Sequence, residues 1–449
     1  MHKFSVLIKG KIKNYNKKIY GKEFPDKSIT HRAYILGSQC LGVTKIKGLN
    51  SEDIQVTINA LKKLGIKIVS KKNWNYVYGN GISGFKKFSG TLNFQNSGTS
   101  ARSFLGILAC YPYPVTITGD SSLKLRPFKR LTNYLEKIGA IFVHPKNKKF
   151  SLPIKIYGTR EWALAQLHNI KTKSAQISSS LIYAALQTKG VTRIIESSET
   201  RDHTQRLLKS LKADIIVNEK KAKRITEIKG QKEMQSFSIK IPADASSSCF
   251  LVVQTLLLEK SSLLIKNVCV NDKRIGFIKI LKKMGGKIKI LNKKNYFGEK
   301  VADLFIKSSD LKGIKCPVNL IVKSIDDLPI IWIACGLAKG KSYFKGISEL
   351  RLKESDRITA ISNSLHKLGI KNYTTKSSLV IHGNPKTKPR KKIKISSNLD
   401  HRVAMANFIA GSVLGCNISI DGFETVASSF PNFLKLQKNL GANYEIKKN

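Results

Sequence analysis

The sequence predicts an α/β protein of two domains, each built from three similar α/β units, so that the whole chain is a six-fold pseudo-repeat. One phrase returns six times, its copies are almost evenly spaced, and each copy joins a helix to a strand through a turn. The copies are ALKKLGIKIV (60–69), YLEKIGAIFV (134–143), LLKSLKADIIV (207–217), ILKKMGGKIKI (280–290), SLHKLGIKNY (364–373) and LQKNLGANYEI (436–446). One or two such phrases occur by chance, but six at near-constant spacing indicate a repeated scaffold.

Each phrase has the pattern of an amphipathic helix that ends at a glycine and continues into a strand. Apolar side chains recur every three or four residues, and lysines occupy the opposite face. Glycine readily adopts the left-handed conformation that ends many helices, and the β-branched residues after it are typical of a strand. The turn residues, 72 to 84 positions apart, are Gly65, Gly139, Lys212, Gly285, Gly369 and Gly441. A repeat of this length fits a small α/β layer module better than a solenoid repeat.

Lysine dominates the charge of the 449-residue chain. The formal net charge of +51 suggests a nucleic-acid partner, because cationic proteins release counterions from phosphate backbones. The lysines are spread over the polar faces of the predicted helices, however, and the densest stretch (386–395) is broken by proline. We therefore interpret the charge as a compositional bias and expect no nucleic-acid partner.

Arginine is scarce, with 14 of the 80 basic residues. Six arginines stand in separate motif-like phrases: Arg32, Arg102, Arg126, Arg201, Arg357 and Arg402. Because a guanidinium binds carboxylate or phosphate through two parallel hydrogen bonds, these positions predict a small polyanionic substrate.

The cysteines and the apolar runs predict a cytoplasmic protein. Seven scattered cysteines form no CxxC pair and lie mostly among apolar neighbours, which is typical of buried thiols in a reducing compartment. The amino terminus has no continuous apolar segment of the secretory kind. The longest apolar run (249–258) has only 10 residues and is too short to cross a bilayer.

Several phrases in the first half place polar residues at predicted helix starts. In PDKSITHR, Ser28 is expected to cap a helix with Lys27 and Arg32 near its positive end, where they would form an anion site, and a purely structural cap is the alternative. In NSGTSAR, Gly98 lies in a small-residue turn that lets backbone amides approach a ligand. In LKLRP, Arg126 precedes a proline at a predicted helix start.

Two more phrases of the first half follow the same pattern. KSAQISSSL offers Ser174 and Gln176 just before a helix, and ETRDHT brings Arg201 to the start of a helix that begins near Asp202.

The candidate acid and base lie in the second half. Asp326 immediately precedes a segment with the pattern of a buried helix. In LKESDR, Lys353 and Glu354 are followed one helical turn later by Arg357, an arrangement able to hold a general acid beside an anion clamp. A surface salt-bridged helix start is the alternative. DHRVAM places Arg402 at the mouth of another apolar helix.

Taken in order, these phrases resemble the 5-enolpyruvylshikimate-3-phosphate (EPSP) synthases of the enolpyruvyl transferase family. The shared words are KSITHR, NSGTSAR, LRP, SAQ, TRDHT, DASS, LKESDR and DHRVAM, and they cover essentially the whole chain. The resemblance implies an inside-out α/β barrel type of fold with a cleft between two domains. The first is expected at 27–244 and the second at 1–26 plus 245–449, with the active site at their interface.

The resemblance also implies a transferase of the shikimate pathway, in aromatic amino acid and chorismate biosynthesis. It would move the enolpyruvyl group of phosphoenolpyruvate to the 5-hydroxyl of shikimate 3-phosphate and release phosphate by addition–elimination. The implied partners are these two small molecules, with no metal, no cofactor, no membrane and a monomeric state. Gly98 also predicts sensitivity to the competitive inhibitor glyphosate.

The residue roles that the resemblance implies fall into three sets. The catalytic residues are Asp326 as base, Glu354 as acid, and Lys27. The shikimate 3-phosphate contacts are Lys27, Ser28, Arg32, Ser174, Ala175, Gln176, Arg201, Asp326 and Lys353. The phosphoenolpyruvate contacts are Lys27, Gly98, Arg126, Gln176, Arg357 and Arg402.

One departure and two alternatives accompany the resemblance. Many relatives carry a lysine where this chain has Ala427. The nearest alternative is a UDP-N-acetylglucosamine enolpyruvyl transferase, but the cysteine usual in that enzyme is Ser121 here. The more distant alternative is a lysine-rich RNA-binding protein without catalysis.

Overall fold

Twenty-three strands and fourteen α-helices form in the part of the chain that the computed structural model describes, which is residues 3–147, 149, 151–159 and 163–448. The strands are β1 Phe4–Ile8, β2 Asn16–Tyr20, β3 Leu41–Lys47, β4 Lys67–Lys71, β5 Trp74–Asn80, β6 Gly90–Asn93, β7 Val115–Thr118, β8 Ile141–Val143, β9 Ile154–Tyr157, β10 Leu167–Asn169, β11 Val191–Ser197, β12 Ile215–Lys220, β13 Lys223–Lys229, β14 Ser238–Lys240, β15 Ser262–Cys269, β16 Lys287–Tyr296, β17 Glu299–Lys307, β18 Gly340–Lys345, β19 Asn372–Thr374, β20 Ser378–Gly383, β21 Lys392–Ser396, β22 Asn417–Asp421 and β23 Tyr444–Lys448. The helices are α1 Lys27–Ser38, α2 Glu52–Lys63, α3 Gly98–Leu108, α4 Ser121–Leu125, α5 Lys129–Leu135, α6 Ala175–Ala185, α7 His203–Ser210, α8 Ala245–Leu257, α9 Gly276–Lys283, α10 Val318–Lys323, α11 Leu328–Gly336, α12 Arg357–Lys367, α13 His401–Leu414 and α14 Phe433–Asn439.

The chain divides into two compact units. The inserted unit consists of residues 26–241 and 295–299, and the terminal unit consists of 1–25, 242–294 and 300–449. The chain therefore begins in the terminal unit, builds almost all of the inserted unit, and then returns, and the short segment 295–299 is added to the inserted unit later.

Each unit contains three small sheets with one shared topology. In β6-β7-β9-β8 of the inserted unit, β6 and β7 are parallel and are joined by α3, and the hairpin β8–β9 then adds antiparallel to β7. The orders β14-β3-β5-β4 and β10-β11-β13-β12 repeat this arrangement. In the terminal unit the sheets are β16-β17-β15-β2, β18-β20-β19 and β21-β22-β1-β23. In the three-stranded sheet, the parallel bridge between Lys315 and Tyr343 marks the place of the fourth strand.

One helix of each module is buried along almost its whole length. These core helices are α1, α3 and α6 in the inserted unit and α8, α11 and α13 in the terminal unit. Helices α3 and α6 approach closely, since a Cβ on Gly106 would lie 2.0 Å from the Ser180 carbonyl oxygen. Burial of these helices explains why most of their side chains are apolar or small, and the buried His31 and Arg32 of α1 are held by hydrogen bonds.

The six turn residues predicted from the repeat all adopt the left-handed conformation. Gly65, Gly139, Gly285, Gly369 and Gly441 have φ between 78° and 104°, and Lys212 has φ of 55°. The predicted fold class is confirmed, with Lys212 in the glycine conformation although it carries a side chain.

Replacement of Lys212 by glycine is expected to stabilise the protein. A side chain in the left-handed region costs about 1–2 kcal/mol, while glycine loses about 0.5–1 kcal/mol more backbone entropy on folding, so the net gain is up to about 1.5 kcal/mol. The control Lys209→Gly, inside α7, is expected to destabilise. Thermal unfolding checks both variants, and a lower midpoint for Lys212→Gly would contradict the prediction.

Candidate active site

Several of the residues predicted to bind substrate lie at the amino-terminal ends of core helices. In the inserted unit, Lys27 and Ser28 open α1, Gly98 opens α3, and Ser174 caps α6. A helix start presents unbonded N–H groups and the positive end of the helix dipole, which favours anions. The repeat therefore places three helix starts of this kind within the inserted unit.

Arg32 is held by hydroxyl groups from two neighbouring helices. Its Nε donates to Thr204 Oγ1 at 2.7 Å and its Nη2 to Ser179 Oγ at 2.8 Å, while Nη1 donates to the Ser28 carbonyl oxygen at 2.9 Å. The two hydroxyls also bond each other at 2.7 Å. The guanidinium is thus buried and fixed without a carboxylate among these partners, which suits an anion site.

Lys27 forms an ion pair with Asp53 at the start of α1. The distance from Nζ to Oδ2 is 2.8 Å, and both side chains are mostly buried. The neighbouring His31 donates to or accepts from Thr57 Oγ1 at 2.8 Å. Burial, with Lys27 and Arg32 close by, holds the pKa of His31 well below its usual range, so this histidine is neutral near pH 7.

Two guanidinium groups lie against Gly98. A Cβ built on this glycine would lie 2.8 Å from Arg102 Nη1 and 3.1 Å from Arg126 Nη1. Arg102 Nη1 donates to Gln176 Oε1 at 3.0 Å, and Arg126 donates to the Asn96 side chain. Gly98, Arg126 and Gln176, which the sequence placed in separate phrases, therefore surround one point.

Ala175 and Arg201 complete the predicted residues of the inserted unit. Ala175 is the first residue of α6, and Arg201 lies on the segment between β11 and α7, half-buried and directly before the N-cap Asp202.

In the terminal unit, the buried guanidinium of Arg357 contacts three carboxylates. Arg357 Nε donates to Asp400 Oδ2 at 2.8 Å, Nη2 donates to Glu354 Oε2 at 2.5 Å, and Nη1 lies 3.4 Å from Asp326 Oδ1. Burial lowers the pKa of a guanidinium, but the three carboxylates outweigh it and raise the pKa of Arg357 above its ordinary value. The candidate base and the candidate acid thus lie against two different nitrogens of one guanidinium.

The remaining predicted residues of the terminal unit lie at the edge of this cluster. Lys353 Nζ is 3.6 Å from Asp326 Oδ1, and Arg402 Nη1 is 3.5 Å from Asp327 Oδ1. Burial raises the pKa of Asp327 to about 6, although Arg402 acts in the opposite direction. Each of these carboxylates lies near an arginine or lysine side chain. Such an arrangement suits the binding of anions and proton transfer better than the binding of a metal ion.

Three local predictions were wrong. Asp26, not Ser28, caps α1, because its carboxylate accepts from the Ile29 amide at 2.9 Å. Arg126 does not start a helix but ends α4, and the next helix begins at Lys129.

The third error concerns Glu354. It does not share a helical turn with Arg357, since α12 begins at Arg357 and Glu354 precedes it. Asp356 caps that helix, so the chain turns there and lets the Glu354 side chain reach back to the guanidinium.

Sequence reasoning missed several supporting residues. Asp53 and Asp400 pair with predicted cations, and Asp327 stands beside Asp326 with its side chain fully buried. The aspartate before each helix start was an available signal for Asp26 and Asp400, because aspartate is a preferred N-cap. Asp53 gave no such signal, since 26 residues separate it from Lys27.

The class of the protein follows from its architecture. The chain superposes on the enolpyruvyl transferase NikO from Streptomyces tendae with a TM-score of 0.78 over all of both chains, at 11% identity, which shows the fold. An EPSP synthase from Acinetobacter baumannii matches with a TM-score of 0.85 at 32% identity over 99% of this chain and 100% of that one. The protein therefore has the two-domain, inside-out α/β fold of enolpyruvyl transferases.

The particular family follows from the sequence comparisons. The family model described as EPSP synthase (3-phosphoshikimate 1-carboxyvinyltransferase) matches residues 13–436. A 3-phosphoshikimate 1-carboxyvinyltransferase from Petrotoga mobilis is 42% identical over 92% of this chain and 94% of its own length. The enzyme of that name from Zymomonas mobilis is 37% identical, with 94% and 93% covered. The chain belongs to the EPSP synthase family, and the predicted family is confirmed over both alternatives.

The stability of the protein is expected to fall between pH 4 and pH 6 through Asp327. Its folded-state pKa of about 6 lies above the ordinary value, so the protonated form stabilises the fold at low pH and this contribution is lost as the pH rises through 6. Two units of pKa correspond to about 3 kcal/mol. Asp327→Asn is expected to gain in stability over the wild type by up to this amount from pH 4 to pH 7, measured by urea unfolding.

The control for this experiment is Asp272→Asn, which removes one partner of an exposed pair with Lys300. Its difference from the wild type is expected to stay small and nearly constant with pH. An equally constant difference for Asp327→Asn would contradict the prediction.

Proposed function

We propose that the protein transfers the enolpyruvyl group of phosphoenolpyruvate to the 5-hydroxyl of shikimate 3-phosphate and releases inorganic phosphate. The observation that carries this proposal is that residues of the family's motifs form two clusters, one at the starts of α1, α3 and α6 in the inserted unit and one around Arg357 in the terminal unit. The inserted unit supplies mainly cations and helix ends, while the terminal unit supplies carboxylates held by cations. We propose that both sets of residues serve this reaction.

The inserted unit is suited to the phosphate of shikimate 3-phosphate. Ser174 and Ala175 lie at the start of α6, and Gln176 follows in its first turn. Arg201 precedes α7 and Ser28 lies in the first turn of α1, beside Arg32. Backbone amides, a hydroxyl and two guanidinium groups give the dense set of donors that a phosphate monoester requires.

Phosphoenolpyruvate is proposed to bind where Gly98 leaves room beside Arg126. Only a residue without a Cβ fits 3.1 Å from that guanidinium without a shift of the side chain. Gln176 and Lys27 would complete this side, and Arg357 and Arg402 would bind the substrate from the terminal unit.

The proton transfers are assigned to Asp326 and Glu354. Asp326 takes the proton of the 5-hydroxyl group while the oxygen of that hydroxyl attacks C2 of phosphoenolpyruvate. Glu354 gives a proton to C3, which becomes a methyl group. The ionised Glu354 carboxylate then takes a proton from that methyl group while Asp326 returns its proton to the phosphate that leaves C2, which forms the enolpyruvyl ether. Lys353, 3.6 Å from Asp326, favours the ionised form that a base needs.

Arg357 couples substrate binding to the acid. Its Nη2 holds the Glu354 carboxylate at 2.5 Å, so an incoming substrate carboxylate must compete for the same donor. We propose that the substrate takes this place on Arg357 and releases Glu354. Loss of a cationic partner favours the protonated form of a carboxyl group, which is the form that donates to C3.

We further propose that the enzyme acts as a monomer in the cytoplasm without a nucleic-acid partner. The seven cysteines are buried and none of them is in a disulfide, which suits a reducing compartment. Among the described residues, no helix is both long and apolar enough to cross a membrane. Ala427, in the turn Phe423–Ser428, stands where many relatives carry a lysine, so we propose that the other contacts named above bind phosphoenolpyruvate without that lysine.

Phosphate release from phosphoenolpyruvate is expected to require shikimate 3-phosphate. Because a positioned acid or base contributes about 10²- to 10⁴-fold, Asp326→Asn and Glu354→Gln are each expected to lower kcat by about that factor. Asp272→Asn and Glu445→Gln, on exposed ion pairs, serve as controls with unchanged kcat. No release by the wild type, or full activity of both site variants, would overturn the assignment.

Gly98→Ala is expected to weaken phosphoenolpyruvate binding selectively. The added methyl group would lie 2.8 Å from Arg102 Nη1 and 3.1 Å from Arg126 Nη1, so both guanidinium groups must move. We expect KM for phosphoenolpyruvate to rise about tenfold, the effect of a small displacement of a positioning group. Steady-state kinetics with each substrate varied checks this, and an equal rise of both KM values would contradict it.

A further inference from the structure

Two buried ionic side chains in the inserted unit have no role in the reaction proposed above. Glu196, near the end of β11, is 3% exposed, and Arg224, on β13, is 0% exposed. Their closest approach is 3.3 Å, from Arg224 Nη1 to Glu196 Oε1. Together they form hydrogen bonds to the two segments that carry the proposed contacts to the phosphate of shikimate 3-phosphate.

Glu196 ties these two segments together. Its Oε1 accepts from Ser178 Oγ on α6 at 2.7 Å and from Gln205 Nε2 on α7 at 2.9 Å. Its Oε2 accepts from Thr200 Oγ1 at 2.7 Å. Ser178 lies two residues after Gln176 and Thr200 lies immediately before Arg201, so one carboxylate bonds both flanks of the proposed phosphate site.

Arg224 fixes the backbone that leads into Arg201. Its Nη2 donates to the carbonyl oxygens of Ser198 at 3.0 Å and of Thr200 at 2.9 Å, and its Nη1 lies 3.3 Å from Thr200 Oγ1. Its Nε donates to Glu219 Oε1 at 2.9 Å. A planar guanidinium with several fixed donors holds a segment in one geometry, which a lysine ammonium does not.

Such a pair needs a reason other than stability. Two charges withdrawn from water cost about as much desolvation free energy as their attraction returns, and apolar side chains of similar volume often serve a core equally well. Here the pair bonds to the loop and both helices, and its hydrogen bonds define the position of residues 198–200 relative to the start of α6. The pair therefore serves to fix the position of this loop relative to α6.

We propose that Glu196 and Arg224 are positioning residues that set the affinity for shikimate 3-phosphate by holding Arg201 against the first turn of α6. This inference rests on the function proposed above. The pair touches no substrate; it acts through Arg201 and the Ser174–Gln176 segment. Its loss therefore affects one substrate far more than the other.

The test compares variants of the full-length enzyme. The double variant Glu196→Gln/Arg224→Met removes both charges and so leaves no buried charge without its partner, and Thr200→Val removes only the hydroxyl. Each is expected to raise KM for shikimate 3-phosphate, about tenfold or more for the double variant, because small displacements of positioning groups have effects of this order. KM for phosphoenolpyruvate is expected to change less than about twofold.

Two further variants separate positioning from charge and from sheet stability. Arg224→Lys keeps the charge but not the planar fork, and it is expected to leave KM for shikimate 3-phosphate raised. Arg193→Met removes an exposed ion pair with Glu227 in the same sheet and is expected to change neither KM. Thermal unfolding and calorimetric binding of shikimate 3-phosphate are measured on every variant.

The outcomes distinguish the two proposals. A wild type without phosphate release that depends on shikimate 3-phosphate overturns the proposed function. An active wild type whose double variant and Thr200→Val variant keep both KM values, or raise both equally, overturns the positioning role alone. If the double variant fails to fold, Thr200→Val decides the question by the same criterion.

Discussion

The cluster of residues in the terminal unit depends on the contacts between the buried guanidinium of Arg357 and three carboxylates. Arg357 begins α12 and bonds to Asp400, the cap of α13, and to Asp326, two residues before α11. The starts of three helices are thus fixed by one side chain. Asp400 is fully buried, so without this cation its charge would be left in the interior, a situation that costs about 3–5 kcal/mol. The positions of acid and base and the integrity of the fold therefore depend on the same residue.

The two units surround the helix starts of the same module with different side chains. In the inserted unit, the helix starts are accompanied by Arg32, Arg102 and Arg126, whose hydrogen-bond partners include hydroxyl, amide and carbonyl groups. That arrangement leaves a strong preference for anionic ligands. In the terminal unit, carboxylates stand beside the cations, and proton transfer becomes possible. In the function proposed above, both units bind anions, and the terminal unit adds the acid and the base.

The sequence predicted those features that depend on local pattern. Apolar spacing and turn chemistry were sufficient for the six modules, and even Lys212, without a glycine, adopts the left-handed turn because the rest of its module requires it. The motif words were sufficient to select candidate residues in both units. Local capping was less predictable, because Asp26 and Ser28 are both good N-caps and only the path of the chain decides between them.

What could not be predicted depends on contacts between distant segments. Glu196 and Arg224 are 28 residues apart and lie in strands, and nothing in their neighbourhood distinguishes them from surface charges such as Arg193. The three-carboxylate environment of Arg357 likewise spans residues 326 to 400. Such networks appear only when the sheets and helices have brought these segments together.

The central claim is that Glu354 and Asp326 carry out an addition followed by an elimination. Turnover in D2O, with mass spectrometry of the enolpyruvyl product, tests this most directly. If Glu354 protonates C3, the intermediate carries a methyl group with one solvent-derived hydrogen, and the account predicts deuterium in the product methylene. Normal phosphate release with a methylene group free of deuterium would contradict it.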